Sequence, residues 1–295
     1  MTGATWLAWR SNRQAAVAGG ALAAAAAAAL VGVAIWESTQ PEGSVHTLMD
    51  GFRALLIAAP GVAGVFVGAP LLSGDVERGT HRLIWTQGIT RRRWAASSLA
   101  LLIMASALAA AVMAIGGQIW IARLPSNFDT TWGLYDLQAP VVFAYVLFAV
   151  ALGAAVGAAL RRTLPAMAVT LAIFIAVRVA FVELARPHLL PMVTRVVVSG
   201  DQNQSVVAPG AGYVDTTFLN AQLQPLGIGA CGSPGCVPGP AAGIPYAALG
   251  PNTPFRVVYQ PASHFWPMQG IEAGIFILLA AALILAALRF ATRDG

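Results

Sequence analysis

The sequence predicts an all-α integral membrane protein of six transmembrane helices, with a small, irregular, partly β segment between the fifth and the sixth. Three observations carry this. Of 295 residues, 58% are hydrophobic and 10% charged, against roughly 25% charged in a soluble domain. Mean hydropathy is +0.71. Six stretches also stay apolar for about the 20 residues that cross a bilayer. Lipid must therefore face much of the chain.

Residues 1–14 read MTGATWLAWRSNRQ. Trp6, Leu7 and Trp9 beside Arg10 and Arg13 suit a short helix lying at the membrane interface. Arg10 and Arg13 precede an apolar run too long for a cleavable signal, and no clear cleavage site follows.

The spans are expected at 15–36, 54–72, 95–122, 141–160, 164–184 and 269–289. The first has an unbroken alanine run from Ala23 to Ala29, so Leu22, Leu30, Val31, Val33, Ile35 and Trp36 supply its apolar weight. The second holds Pro60 and Pro70, which predict kinks or a broken helix. The third is longer than a bilayer requires. GxxxG occurs at Gly64–Gly68 and at Gly153–Gly157, a spacing that permits close helix packing without naming the partner helix.

Arginine placement sets the orientation. With the N-terminus inside, the inner segments hold eleven arginines and the outer segments five. Both termini are thus expected in the cytoplasm, because short inner loops carry the positive excess. Residues 73–94 become a cytoplasmic loop, SGDVERGTHRLIWTQGITRRRW. Its Leu83, Ile84 and Trp85 are apolar in a water-facing segment and need a partner surface.

Residues 185–268 become the outer segment. It holds 12 prolines and 10 glycines in 84 residues, a density that breaks helices. Val196 to Val198, Val206 to Val207 and Arg256 to Tyr259 have strand character. Cys231 and Cys236 both fall here, and on the oxidising side a disulfide is expected. Residues 269–295 complete the chain as the sixth span and a cytoplasmic tail.

The composition excludes several functions. All 17 basic residues are arginine, and a Walker-A phosphate loop requires lysine. The chain is therefore not expected to hydrolyse ATP. No HExxH, CxxC or GxSxG pattern occurs, so no catalytic, metal or cofactor site is expected. The formal charge of +5 fits arginines at span ends and does not call for nucleic acid.

One charge is out of place. Arg178 lies within the fifth span, where a charge costs a few kcal/mol and marks a functional position by default. Glu272, early in the sixth span, is its expected partner. Arg178 lies six residues below Leu184, or about 9 Å, and Glu272 four residues below Met268, or about 6 Å. Glu183 is disfavoured, since five residues turn it about 140° from Arg178.

The loop from Gly74 to Trp94 resembles the first cytoplasmic loop of type-2 ABC transporter permeases, with an acidic residue, Gly-Thr, a short helix and an arginine leading into the third span. The start, Trp6 to Gln14, and the tail, Tyr259 to Arg289, look like an actinobacterial branch of that family. Many relatives carry lysine where the third span begins, and this chain has Ser97 and Ser98. The resemblance implies the membrane half of an exporter in a cell membrane. It also implies a second permease copy and two ATP-binding subunits docking from the cytoplasm. Asp75, Glu77, Arg78, Thr80, Leu83, Ile84 and Trp85 would then form the coupling contact. The alternatives are a gradient-driven secondary transporter, with internal repeats and midplane carboxylates, or a membrane sensor or assembly protein.

Overall fold

The computed structural model describes residues 32, 56–77, 90–121, 132, 134–198, 212–218 and 254–292. The first predicted span and the interfacial segment before it lie outside the described residues. Among the described residues, five helices are long and apolar enough to cross a membrane. The chain divides into two compact units: Met1–Phe128, Tyr135–Arg186 and Gln269–Gly295 in the first, Asp129–Leu134 and Pro187–Met268 in the second.

The first unit is a helix bundle. α1 covers residues 56–77, α2 Arg91–Ile121, α3 Val141–Leu160 and α4 Thr163–Ala180. α4 continues as a π turn, Phe181–Ala185, and a 3-10 turn, Arg186–His188. α5 covers Phe265–Thr292. α3 is apolar all round and 83% of its span is buried, against 17% for α4. A helix apolar on every face belongs inside. α1, α2 and α5 share its core through Leu71, Leu72, Leu99, Val146, Val150 and Ala287.

The helices outrun the predicted spans. α1 reaches Glu77 and α2 begins at Arg91, so the predicted loop 73–94 gives up both of its ends to helix. α5 starts four residues before the predicted span. Hydropathy marks only the apolar part of a helix, while polar ends continue it into the interface. Pro267 does not stop α5, because a first-turn residue has no intrahelical N–H bond to lose.

α1 does not break at its prolines. Instead it carries a π segment, Gly64–Gly68, between Pro60 and Pro70, where the Ala69 N–H reaches back to the Gly64 carbonyl. Pro70 has no N–H to offer Phe66, which favours departure from the α ladder here. This segment lies on α3. The two GxxxG motifs pair with each other: a Cβ on Gly64, Gly68, Gly153 or Gly157 would fall within 3.0 Å of backbone oxygen on the facing helix. Only glycine permits this approach.

α3 and α4 are joined by two residues. Arg161 adopts a left-handed conformation at φ 56° and donates its N–H to the Gly157 carbonyl at 3.0 Å, closing α3. Arg162 is extended and offers no side-chain cap to α4.

The second unit holds an antiparallel sheet, β1 Val193–Val198, β2 Gly212–Phe218 and β3 Pro254–Gln260, in the order β1-β3-β2. Val193 pairs with Tyr259 and Val198 with Pro254. The β2–β3 register shifts between Tyr213 and Asp215. Two predicted strand stretches fall in β1 and β3, whereas Val206 and Val207 lie outside the described residues. Val257 is fully buried. The Gln260 side chain donates to the Leu190 carbonyl at 3.2 Å and lies 2.9 Å from His264 Nδ1.

Candidate functional site

Four charges meet inside the first unit. Asp136 sits in the 3-10 turn Tyr135–Leu137 that precedes α3. Arg178 and Arg186 lie on α4 and its extension, and Glu272 lies on α5. Glu272 is fully buried, and Arg178 nearly so.

Arg186 is the hub. Its Nη2 is 2.6 Å from Asp136 Oδ1 and 2.9 Å from Glu272 Oε1. Its Nε donates to Glu272 Oε2 at 3.2 Å, so the guanidinium holds Glu272 with two bonds. Such forked contacts are the stronger kind. Arg178 stands 3.3 Å from Asp136 and 3.6 Å from Glu272. Its guanidinium lies over the Tyr145 ring at 3.7 Å, a favourable place for a desolvated cation. The Tyr145 hydroxyl donates to Glu272 and accepts from Arg186 at 3.1 Å.

Two carboxylates and two guanidiniums make the set neutral, which is what a low-dielectric site demands. Burial alone would raise the Asp136 carboxyl; Arg186 and then Arg178 outweigh it and hold the group below its ordinary value. Burial, and next the Glu272 charge, push the Tyr135 phenol up, so it stays protonated.

The shell is rigid. Gln269, one turn before Glu272, accepts the Val141 N–H at 3.2 Å and donates to the Tyr135 carbonyl at 2.8 Å. It thereby caps α3 from α5. Phe276 packs edge-on against Tyr145 at 4.9 Å and Phe148 at 5.2 Å.

The sequence-expected pair, Arg178 and Glu272, is brought together here, with Arg186 as the closer partner of Glu272. Glu183 is exposed on the π turn. Asp136, Tyr145 and Arg186 were not anticipated. In a continuous α-helix Arg186 would stand eight residues and about 80° off the Arg178 face. The π turn between them winds less per residue and takes up part of that angle.

Of the expected coupling residues, Asp75 and Glu77 lie in the last turns of α1. Arg78, Thr80, Leu83, Ile84 and Trp85 lie outside the described residues, as do Cys231 and Cys236. Glu77 reaches across to α4. Its Oε2 accepts the Thr163 N–H at 3.1 Å and the Thr163 hydroxyl at 2.6 Å. Ser73 Oγ, one turn earlier, is 3.3 Å from Thr163 Oγ1.

Among the described residues, five apolar helices with a neutralised charge cluster between them define a multi-pass helical membrane protein. Residues 4–186 match the model of the ABC-2 membrane transporter related family, more than half of the chain, and the chain belongs to that family. It is an ABC-2 type permease, and the family implies an ATP-binding partner subunit. The match covers α1 to α4, including Asp136, Arg178 and Arg186. No curated protein and no solved structure matches the chain.

Proposed function

We propose that this chain is the membrane-spanning subunit of an ATP-driven exporter. It forms the translocation path as a homodimer and takes its driving force from two separate ATP-binding subunits. The family match over α1 to α4 carries the reading. The absence of lysine from the sequence supports it, since the nucleotide must be held elsewhere.

The docking end is the one where α1 ends and α2 and α4 begin. That end carries Arg91, Arg92, Arg93, Arg161, Arg162 and Arg289 against Asp75 and Glu77. The opposite end carries Arg178 and Arg186 against Asp136, Glu183 and Glu272. The positive-inside rule then directs the arginine-rich end to the cytoplasm of a bacterial cell. A gradient-driven carrier needs a carboxylate able to take up an ion or proton. Asp136 and Glu272 are instead each contacted by two arginines, which favours the ATP-driven reading.

Two outcomes are expected. The purified chain hydrolyses no ATP alone and is recovered with an ATP-binding subunit carrying a Walker-A lysine. Replacing Leu83, Ile84 and Trp85 together by serine reduces that recovery at least several-fold, with membrane insertion unchanged; recovery equal to wild type would remove this loop from the docking surface.

The same orientation sets Cys231 and Cys236 outside, joined as a disulfide. Impermeant maleimide is expected to label them in intact cells only after reduction. Labelling without reduction contradicts the disulfide.

A further inference from the structure

We propose that Glu77 is a positioning residue that ties the C-terminal end of α1 to α4, so that displacement of that end by the ATP-binding subunit moves α4. This rests on the permease reading above. Glu77 is the last described residue of α1 and leads into the segment that the sequence assigns to the coupling contact. Its carboxylate occupies the N-terminus of α4, the first-turn position where a helix presents unbonded N–H groups and a positive dipole end. α4 has no cap of its own there. Arg162 makes no side-chain cap bond, and Pro165 has no N–H. Only the Thr163 and Leu164 amides remain without an intrahelical acceptor in that turn, and Glu77 takes the first.

The rest of the geometry makes this contact mechanical. α1 is seated on α3 through four glycines, and α3 is joined to α4 by Arg161 and Arg162 alone. The end of α1, the end of α3 and the start of α4 are thus fixed to one another. Beyond that start α4 packs through one face, Ala166, Thr170 and Phe174, and leaves Val169, Leu171, Ile175 and Val179 exposed. Its polar contacts with other elements include Glu77 and Ser73 at one end and the charge cluster at the other. Arg178 lies about 22 Å along the helix from Thr163, and Arg186 follows it beyond the π turn. A shift imposed at Glu77 therefore reaches Arg178 in the charge cluster along one continuous α-helix.

A side chain that merely pairs with a cation on the ATP-binding subunit would need its charge. A capping side chain needs an acceptor oxygen, which glutamine retains. The test uses the chain purified with its ATP-binding subunit, comparing wild type, Glu77→Ala, Glu77→Gln and Thr163→Val. Hydrogen exchange at residues 163–166, recovery of the subunit and ATP hydrolysis by the complex are measured. Glu77→Ala is expected to speed exchange at Thr163 and Leu164 at least several-fold. It should recover the subunit in wild-type amount and lower hydrolysis several-fold. Glu77→Gln should restore most of both, and Thr163→Val should lower hydrolysis in the same direction.

Unchanged exchange in Glu77→Ala overturns the cap. Equal loss of subunit recovery in Glu77→Ala and Glu77→Gln overturns the positioning role and makes Glu77 a docking contact. If Glu77→Ala does not fold, Glu77→Asp decides: its carboxylate keeps the charge but is one methylene too short to reach the Thr163 N–H, so wild-type exchange and hydrolysis in Glu77→Asp refute the linkage. Failure of the wild-type chain to recover any ATP-binding subunit would refute the permease reading itself, and the exchange measurement would still report on the cap.

Discussion

Replacing Gly153 by alanine is expected to destabilise the protein by about 1–3 kcal/mol, the range for forcing a methyl group into a packed contact. The added Cβ would meet the Gly64 carbonyl oxygen and the Ala69 nitrogen within 3.0 Å. Both are backbone atoms and cannot swing aside as a flexible side chain would. Relief requires α1 and α3 to separate along the whole contact, because Gly157 sits equally close to Ala69 one turn further on. Gly157→Ala should therefore act in the same direction. The control is Gly274→Ala on α5, where nothing lies within 4 Å of the new Cβ. There alanine should be neutral or stabilising by up to about 1 kcal/mol through helix propensity. Thermal unfolding in detergent, followed by the fraction of monodisperse protein, separates the two. Equal midpoints for Gly153→Ala and Gly274→Ala would mean that the close α1–α3 contact does not exist in solution.

The glycine motifs were legible in the sequence as a capacity for close packing, but their pairing was not. GxxxG states that a helix has a flat stripe, and every such stripe in an alanine-rich chain competes for the same partners. What singles out α3 is its burial, which depends on the other helices surrounding it. The five spans from the second to the sixth were legible for a simple reason: crossing a bilayer demands a run of apolar residues, and each falls on a helix long and apolar enough to cross. Helix ends were less legible, because Ser73 to Glu77 and Arg91 to Trp94 are polar and helical at once. The strand character at Val196 and Arg256 was visible in composition, whereas Gly212–Phe218 contains Gly, Asp and two Thr and announces itself weakly.

The charge cluster divides along the same line. Arg178 and Glu272 stood out because charge within an apolar span is costly. Asp136 and Arg186 sit just beyond the apolar spans, where charge is ordinary and raises no alarm. Arg186 was doubly hidden. It follows the predicted end of the fifth span, and only the π turn before it brings it toward the Arg178 face. Glu77 was read as part of a docking loop, and its contact with Thr163 spans 86 residues, a distance no local pattern reports.

Glu272→Leu is expected to cost about 3–5 kcal/mol, the range for leaving a buried charge without its partner. The loss strands Arg178 and Arg186 around a single carboxylate, Asp136. Arg186→Leu should cost as much, since Arg186 makes the 2.6 Å and 2.9 Å contacts. Arg178→Leu should cost less, because its separations are 3.3 Å and 3.6 Å. The double mutants order the network. Arg178→Leu with Glu272→Leu restores neutrality and leaves the shortest pair, Arg186 with Asp136, in place, so it should recover the most. Arg186→Leu with Glu272→Leu leaves Arg178 with Asp136 at 3.3 Å and should recover less. Arg186→Leu with Asp136→Leu leaves only Arg178 and Glu272 at 3.6 Å and should recover least. Unfolding midpoints and folded yield measure each cycle, and contacting charges should show couplings of about 0.5–3 kcal/mol. If the three double mutants are each as unstable as their singles added together, the four charges do not act as one set. Arg178 would then have to be stabilised by the Tyr145 ring and by water reaching in from the nearer membrane surface.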